Sequence, residues 1–177
     1  MKIQPFDLAD FDLFISYLNE QLAENGAGES SYFMPFERID SNVGPDRIEA
    51  FRKALSTPLM EPGWRQLWLA RSEGNDIIGH VDLRSHPERH AEHRCLLGIG
   101  VNRDYRKSGI GTKLIEHSEK WAVEKKLKWI DLDVLSVNLP AVKLYAAMGF
   151  SKVGEIPAKF MLDGLLYSET IMTKKLM

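Results

Sequence analysis

The sequence predicts an α/β (α+β) fold, in which a mixed central sheet of about six to seven strands carries about four helices on its two faces. Strand-like and helix-like segments follow one another in the order β-α-α-β-β-β-α-β-α-β-β along the 177 residues. The stretch 98–124 is the clearest unit, with an apolar strand end, a polar basic turn and an amphipathic helix. The length suits one domain, residues 1–177, with a substantial core.

The first third of the chain predicts a short strand and two helices. Residues 1–6 alternate weakly, and Asp7 is a suitable N-cap for a helix that runs to about residue 24. A Pro-Asp pair opens the second helix, which covers residues 45–56. Between these helices, residues 29–45 are irregular and rich in aromatic side chains.

The remaining elements follow from the same patterns. Residues 65–71 and 77–84 are apolar, and the turn between them predicts a hairpin. Further strands are expected at 92–101 and 128–135, before and after the amphipathic helix. A last helix opens at Asn138-Leu-Pro and stops at Gly149, and strands at 150–156 and 165–174 close the chain through Asp163-Gly164.

The start of the helix within residues 98–124 has the features of an anion site. Gly109 and Gly111 carry no side chain, and the helix has no acidic residue before Glu116. Its first backbone N–H groups lack intrahelical partners, and the helix dipole makes this end positive. Arg106 and Lys107 add positive charge beside it. The pattern favours a diphosphate cradle at a helix N-terminus.

Glycine pairs such as Gly109 and Gly111 also occur in simple turns and in other nucleotide-binding motifs. A Gly-x-Gly before a helix can be a simple turn. The P-loop pattern is absent, because no Gly-Lys-Ser/Thr follows at the required spacing. The dinucleotide-binding fingerprint also fails, because no third glycine follows Gly111 and a long polar turn separates Val101 from Gly109.

The motif Arg106-x-x-Gly109-x-Gly111 resembles the acyl-CoA pyrophosphate loop of the GNAT family of N-acetyltransferases. Many members of that family have glycine where this chain has Lys107. The order of elements is also that of the family, so the resemblance covers essentially the whole chain. A second block resembles the family pattern Asn-x-x-Ala-x-x-Leu-Tyr-x-x-x-Gly-Phe, with Asn138, Ala141, Leu144, Tyr145, Gly149 and Phe150 at the matching positions.

The resemblance implies an N-acetyltransferase that uses acetyl-CoA as cosubstrate and transfers the acetyl group to a primary amine by direct attack on the thioester. It also implies a splayed strand end along which the pantetheine lies. The non-catalytic alternative is an acyl-CoA-binding or regulatory module. The residues that the resemblance assigns to the cofactor are Ile99, Gly100, Val101, Arg106, Lys107, Ser108, Gly109, Ile110, Gly111, Thr112, Asn138 and Tyr145.

Three residues are predicted to be catalytic. Tyr145 is the candidate general acid toward the leaving thiolate, because a phenol carries a proton at neutral pH. Glu92 and His93 are candidates for the general base, directly or through water. On spacing alone Tyr145 is a half-buried packing residue, Asn138 is a helix cap, and the candidate bases are solvated edge residues, as are His80 and Asp82 on the neighbouring strand.

The acceptor site is expected in the irregular segments Glu29 to Asp40, Ser85 to Ala91 and Pro157 to Leu165. The resemblance implies that the acceptor is a small-molecule amine or a protein amine, either an N-terminus or a lysine. A homodimer is compatible with the sequence.

Composition excludes several other classes. The net charge is −2 with charges mixed along the chain, which argues against nucleic-acid binding. Cys95 is the one cysteine, so no intramolecular disulfide forms, and it is expected to be a buried small residue. No closed ligand set accompanies His86, His90 and His93, so no metal is expected. No apolar leader or bilayer-spanning run is present, which predicts a cytoplasmic protein without a membrane segment.

Overall fold

The computed structural model describes residues 1–176 and contains a seven-stranded mixed sheet in the order β1-β2-β3-β4-β5-β7-β6. Neighbouring strands are antiparallel except for β4 and β5, which are parallel. No helix in this range is long and apolar enough to cross a membrane. The elements are β1 (Lys2–Pro5), α1 (Phe11–Ala23), α2 (Pro45–Ser56), β2 (Arg65–Arg71), β3 (Ile77–Ser85), β4 (Arg94–Val101), α3 (Ile110–Glu124), β5 (Trp129–Leu135), α4 (Leu139–Ala147), β6 (Ser151–Leu162) and β7 (Leu165–Lys175).

The predicted fold class and element order are confirmed, and three boundaries shift for local reasons. Asp7 does act as a cap, but it opens a short 3-10 turn that precedes α1. The strand predicted from Glu92 begins at Arg94, whose N–H closes a turn on the Ala91 carbonyl. β6 runs past its predicted end to Leu162, because its hairpin with β7 resumes after an irregularity.

Two apolar layers hold the helices against the sheet. On one face, α3 inserts Leu114 and Ile115, both fully buried, over the central strands. On the other face, Phe14 of α1 packs against Leu67 and Leu69 of β2. Each such side chain contributes about 1.5–3 kcal/mol on burial. The helical periodicity that predicted these elements therefore corresponds to two real core faces.

A polar contact fixes α1 to β4 inside the second layer. The Tyr17 hydroxyl donates to the Gly100 carbonyl at 3.3 Å and lies 3.2 Å from His80 Nδ1. Because the single hydroxyl proton goes to Gly100, His80 Nδ1–H is the donor to Tyr17, which leaves Nε2 unprotonated. Gly100 is opposite His80 in the sheet, and a Cβ there would lie 2.5 Å from the imidazole ring. Glycine at this position makes room for the ring.

Burial keeps His80 neutral. Desolvation lowers the pKa of His80 to about 4, and Arg65 lowers it further, while Asp82 acts in the opposite direction. The ring packs edge-on against Phe14, with 5.4 Å between the ring centroids. Folding therefore places an uncharged imidazole beneath β4.

The free energy of unfolding should decrease in acid because of His80. The unfolded chain takes up a proton near pH 6.5, whereas folded His80 resists protonation down to about pH 4. Stability is therefore constant above about pH 7 and falls as the pH drops through this window, by at most about 2 kcal/mol at pH 5. The measurement is urea denaturation at pH 7.5 and pH 5 of the wild type and His80→Gln.

The His80→Gln variant should lose less stability between the two pH values than the wild type does. His90→Asn is the matched control, because His90 is exposed and Asn tolerates its positive φ of 65°. Equal losses for the wild type and His80→Gln would contradict the assignment of a neutral His80.

Candidate functional site

The parallel strands β4 and β5 separate part of the way along their length. Their pairing is confined to Arg94–Leu96 of β4 with Trp129–Asp131 of β5. Both strands continue, β4 to Val101 and β5 to Leu135. A wedge-shaped gap, called here the β4–β5 gap, therefore opens toward the carboxyl ends of the two strands.

Backbone groups of β4 that have no partner on β5 face this gap. The Asn102 N–H donates to the Ile78 carbonyl of β3 at 3.0 Å. Since residues that bond the neighbouring strand alternate in an antiparallel ladder, Gly98 and Gly100 turn their polar groups toward β3. Ile99 and Val101 turn theirs toward the gap. One of these groups, the Val101 carbonyl, accepts a hydrogen bond from Arg106 Nε at 3.1 Å.

The start of α3 follows at the mouth of the gap and is uncapped. Gly109 is the N-cap residue, has φ 82°, and provides no side-chain cap. The first turn contains no acidic residue, and a Cβ built at Gly109 would meet nothing within 4 Å. Lys107 has φ 60°, the left-handed conformation that favours glycine. The free N–H groups and the open space suit an anion, as the sequence predicted.

Two residues of the motif have contacts that sequence reasoning did not anticipate. A Cβ at Gly111 would lie 3.0 Å from Leu144 Cδ2, so this glycine lets α3 and α4 pack closely. Arg106 Nη2 forms an ion pair with Glu24 Oε2 at 3.0 Å. Its guanidinium therefore ties the loop to the end of α1, and its charge is already partly balanced. Glu24 is distant in sequence, so no local pattern could predict this pair.

The helix α4 presents a tyrosine beside the same core. Asn138 Oδ1 accepts the Ala141 N–H at 3.4 Å, which confirms that Asn138 caps the helix. Tyr145 is 8% exposed and packs edge-on against Phe150. Desolvation raises the pKa of Tyr145 to about 12, so the phenol is protonated at neutral pH. Within residues 1–176 its hydroxyl makes no hydrogen bond, and burial is the cause of its raised pKa.

The predicted bases Glu92 and His93 lie at the closed end of the two strands. Both are exposed and precede β4. The His93 carbonyl accepts the Lys128 N–H at 2.8 Å, on the side where β4 and β5 are still paired. Backbone hydrogen bonds, including one from the His90 N–H, lower the pKa of Glu92 and weaken it as a base.

Asp82 and His80 do not lie at an edge, so that interpretation was wrong. Their strand β3 is flanked by β2 and β4 on both sides. Asp82 is buried and forms ion pairs with Arg65 at 3.2 Å and Arg84 at 3.3 Å. The alternation of charged and apolar residues in β3 reflects a buried polar layer rather than exposure to solvent.

The expected acceptor segments all border β5. The Tyr32 hydroxyl and the Arg38 N–H both donate to Asp163 Oδ2, the latter at 3.1 Å, which joins segment 29–40 to the β6–β7 turn. Tyr32 also packs on Leu135 at the end of β5. At the other end of the strand, His86 Nε2 of loop 85–91 lies 3.6 Å from Asp131 Oδ2.

Cys95 is a buried structural residue, as predicted. Its thiol is fully buried, and desolvation raises its pKa to about 12. The thiolate required of a nucleophile is therefore absent at neutral pH. In the described part of the chain, no group of three or more His, Cys, Asp or Glu side chains has an arrangement that could hold a metal ion.

Comparison with known proteins assigns the family. Residues 33–150 match the model of the acetyltransferase (GNAT) family. The chain is 28% identical over 154 residues to streptothricin acetyltransferase from Escherichia coli, covering 79% of this chain and 82% of that protein. It is 20% identical over 163 residues to the uncharacterized N-acetyltransferase YycN of Bacillus subtilis, covering 90% and 97% of the two chains.

Solved structures show the same fold. An acetyltransferase of the GNAT family from Streptococcus pneumoniae superimposes with a TM-score of 0.80 at 22% identity, covering 98% of each chain. A phosphinothricin acetyltransferase from Sinorhizobium meliloti, in complex with AcCoA, gives a TM-score of 0.78 at 16% identity, covering 99% of this chain and 88% of that one. The chain belongs to the acetyltransferase (GNAT) family and is an N-acetyltransferase with acetyl-CoA as its cosubstrate.

Proposed function

We propose that this enzyme acetylates the primary amine of a small cationic molecule by direct attack of the amine on acetyl-CoA. The observation that carries the proposal is the β4–β5 gap, which opens toward the end of β4 and is followed along the chain by the uncapped start of α3. A cosubstrate with an anionic diphosphate and a long polar arm matches both features. The diphosphate suits the helix start, and the arm suits a row of free backbone groups.

With acetyl-CoA placed in this way, each predicted cofactor-binding residue would contact a particular part of the molecule. The N–H groups of residues 107–112 would bind the diphosphate, and Ile99 and Val101 would pair with the pantetheine amides as an added strand does. Arg106 already donates a hydrogen bond to the Val101 carbonyl, so it would hold the loop in position. Asn138 and Tyr145 would lie at the thioester end of the arm.

The chemistry needs few protein groups. The neutral amine attacks the thioester carbonyl, a backbone N–H in the gap stabilises the oxyanion, and the C–S bond breaks as the thiolate leaves. Tyr145 would donate its proton to the sulfur. A thiol has a pKa near 8.5, well below that of this buried phenol, so the proton transfer is uphill. Tyr145 would therefore act mainly by hydrogen bonding to the developing thiolate.

A small-molecule acceptor is favoured over a protein acceptor by one comparison. The E. coli relative that matches over about four fifths of both chains is named for streptothricin. The other predicted groups keep their roles as hypotheses. Glu92 and His93 stay predicted bases, although both lie at the closed end of the strands. The non-catalytic acyl-CoA-binding module has no support among the relatives, which are named acetyltransferases.

An acceptor panel tests the function directly. Streptothricin, spermidine, Nα-acetyl-lysine and a short peptide with a free N-terminus would each be incubated with the protein and acetyl-CoA. We expect free CoA thiol to be released with the cationic small molecules above the rate without acceptor. Turnover of only Nα-acetyl-lysine or the peptide would instead indicate a protein amine as the acceptor.

The diphosphate placement predicts a charge effect at Ser108. This residue is exposed directly before the N-cap of α3, so Ser108→Asp adds a negative charge beside the bound diphosphate. Acetyl-CoA affinity should fall by about tenfold or more from like-charge repulsion. The melting temperature should not fall, because an acidic residue is favourable at a free helix start. Calorimetric titration with acetyl-CoA measures the affinity.

Ser151→Asp is the matched control for this charge effect, because Ser151 is an exposed serine at the start of β6. Unchanged acetyl-CoA affinity in a folded Ser108→Asp protein would show that the diphosphate binds elsewhere. Gly111→Asp is a poorer test, since its side chain would also collide with Leu144.

Replacing Tyr145 by Phe removes the proton donor and keeps the ring. Positioned general acids contribute about 10²–10⁴-fold, and the uphill transfer from this phenol favours a smaller loss, roughly 10–100-fold in kcat. Acetyl-CoA affinity should change little, because the ring still packs against Phe150. Steady-state turnover and melting temperature of the purified variant would be measured together. A folded variant with wild-type kcat would mean that water protonates the thiolate.

A further inference from the structure

One face of β5 presents three side chains in very different environments. Asp131, Asp133 and Leu135 alternate with buried apolar residues and therefore share the face that carries α1 and α2. Asp131 is held by Arg94 at 2.6 Å, and Leu135 is buried beneath Tyr32. Asp133 is exposed, and within residues 1–176 it makes no hydrogen bond or ion pair.

Asp133 also lies where the β4–β5 gap begins. The last paired residues are Leu96 and Asp131, and two residues further along each strand come Gly98 and Asp133. Both are on the same face of the sheet. Gly98 has no side chain, and a Cβ there would lie 2.4 Å from Asp82 Oδ1. The Asp82 and Arg84 side chains therefore cover the backbone of Gly98 next to Asp133.

The neighbouring carboxylates are already neutralised. Asp82 is paired with two arginines, Asp131 with Arg94, and Glu169 with Lys159. On β7, the residue opposite Asp133 is the apolar Ile171. Among the described carboxylates of β3, β5 and β7 on this face, Asp133 is thus the one without a basic partner.

The loops expected to form the acceptor site converge on both sides of this carboxylate. Segment 29–40 and the β6–β7 turn meet above Leu135, two residues after Asp133. Loop 85–91 reaches Asp131, two residues before it. An acceptor that enters between these loops meets Asp133 at the narrow end of the gap, just beyond the last paired residues.

We propose that Asp133 binds the ammonium group of the acceptor and accepts the proton that nitrogen loses on attack. The proposal rests on the proposed function. The ammonium first gives one proton to solvent, and the neutral nitrogen then forms the C–N bond to the thioester carbon. The resulting cationic nitrogen passes its second proton to the Asp133 carboxylate, and the C–S bond breaks while the Tyr145 hydroxyl donates a hydrogen bond to the leaving thiolate. Asp133 then returns its proton through solvent to the thiolate, so both side chains regain their starting state. The products are the amide, CoA thiol and one released proton.

The test is Asp133→Asn, which keeps the shape of the side chain and removes its charge. A hydrogen bond to a charged group is worth about 10- to 100-fold, so kcat/KM for the best amine of the panel should fall by that factor. The acetyl-CoA KM and the melting temperature should not change. Glu116→Gln is the control, since it removes an exposed carboxylate of α3 that makes no ion pair within residues 1–176.

Salt dependence separates charge recognition from a structural role. Added NaCl should raise the acceptor KM of the wild type and leave that of Asp133→Asn nearly flat, because the screened ion pair is already gone. Asp133→Glu should restore part of the activity. Equal salt dependence in the wild type and Asp133→Asn, or an equal loss of acetyl-CoA affinity and stability, would overturn the proposal.

A binding measurement distinguishes failure of this inference from failure of the proposed function. CoA-bound protein would be titrated calorimetrically with the same panel of amines. Binding that disappears in Asp133→Asn supports the acceptor role of Asp133 even if no turnover is found, in which case the function fails alone. Binding of no amine by the wild type, or binding that Asp133→Asn leaves intact, overturns the role of Asp133.

Discussion

The loss of pairing between β4 and β5 is the feature on which the rest of this structure depends. Parallel strands normally bond along their whole overlap, yet here the ladder stops after Leu96 and Asp131. The backbone groups released by this separation are costly to leave unsatisfied, and a ligand with amide groups can satisfy them. The uncapped start of α3 follows β4 along the chain, and segments 29–40 and 85–91 contact β5 on either side of Asp133.

The fold was predictable because its signals are local. Periodicity, the caps at Asp7 and Asn138 and the turn at Asp163-Gly164 each act within a few residues, and the structure contains all of them. Two sequence stretches that resemble motifs of the family, at positions 106–111 and 138–150, then identified the family. Two strand boundaries differ from the prediction. A turn delays the start of β4 to Arg94, and a hairpin extends β6 to Leu162.

The site was predictable only in part, because long-range pairing determines the state of its charges. No pattern in β5 distinguishes Asp131 from Asp133, yet one is neutralised by Arg94 and the other is free. Likewise, His80 and Asp82 were interpreted as solvated edge residues, whereas β3 lies between β2 and β4 and Asp82 is buried against two arginines. Which carboxylate keeps its charge for a ligand is decided by tertiary contacts.

The close packing of Gly111 against Leu144 has a geometric consequence. It brings the helix that begins after Gly109 into direct contact with the helix that carries Tyr145, so the two helices form one packed block. Under the proposed function, this block fixes the distance between the bound diphosphate and the thioester. A thioester is delivered to the tyrosine only if its arm matches the fixed span between the two helices, so donors are selected by length before any contact with the acyl group.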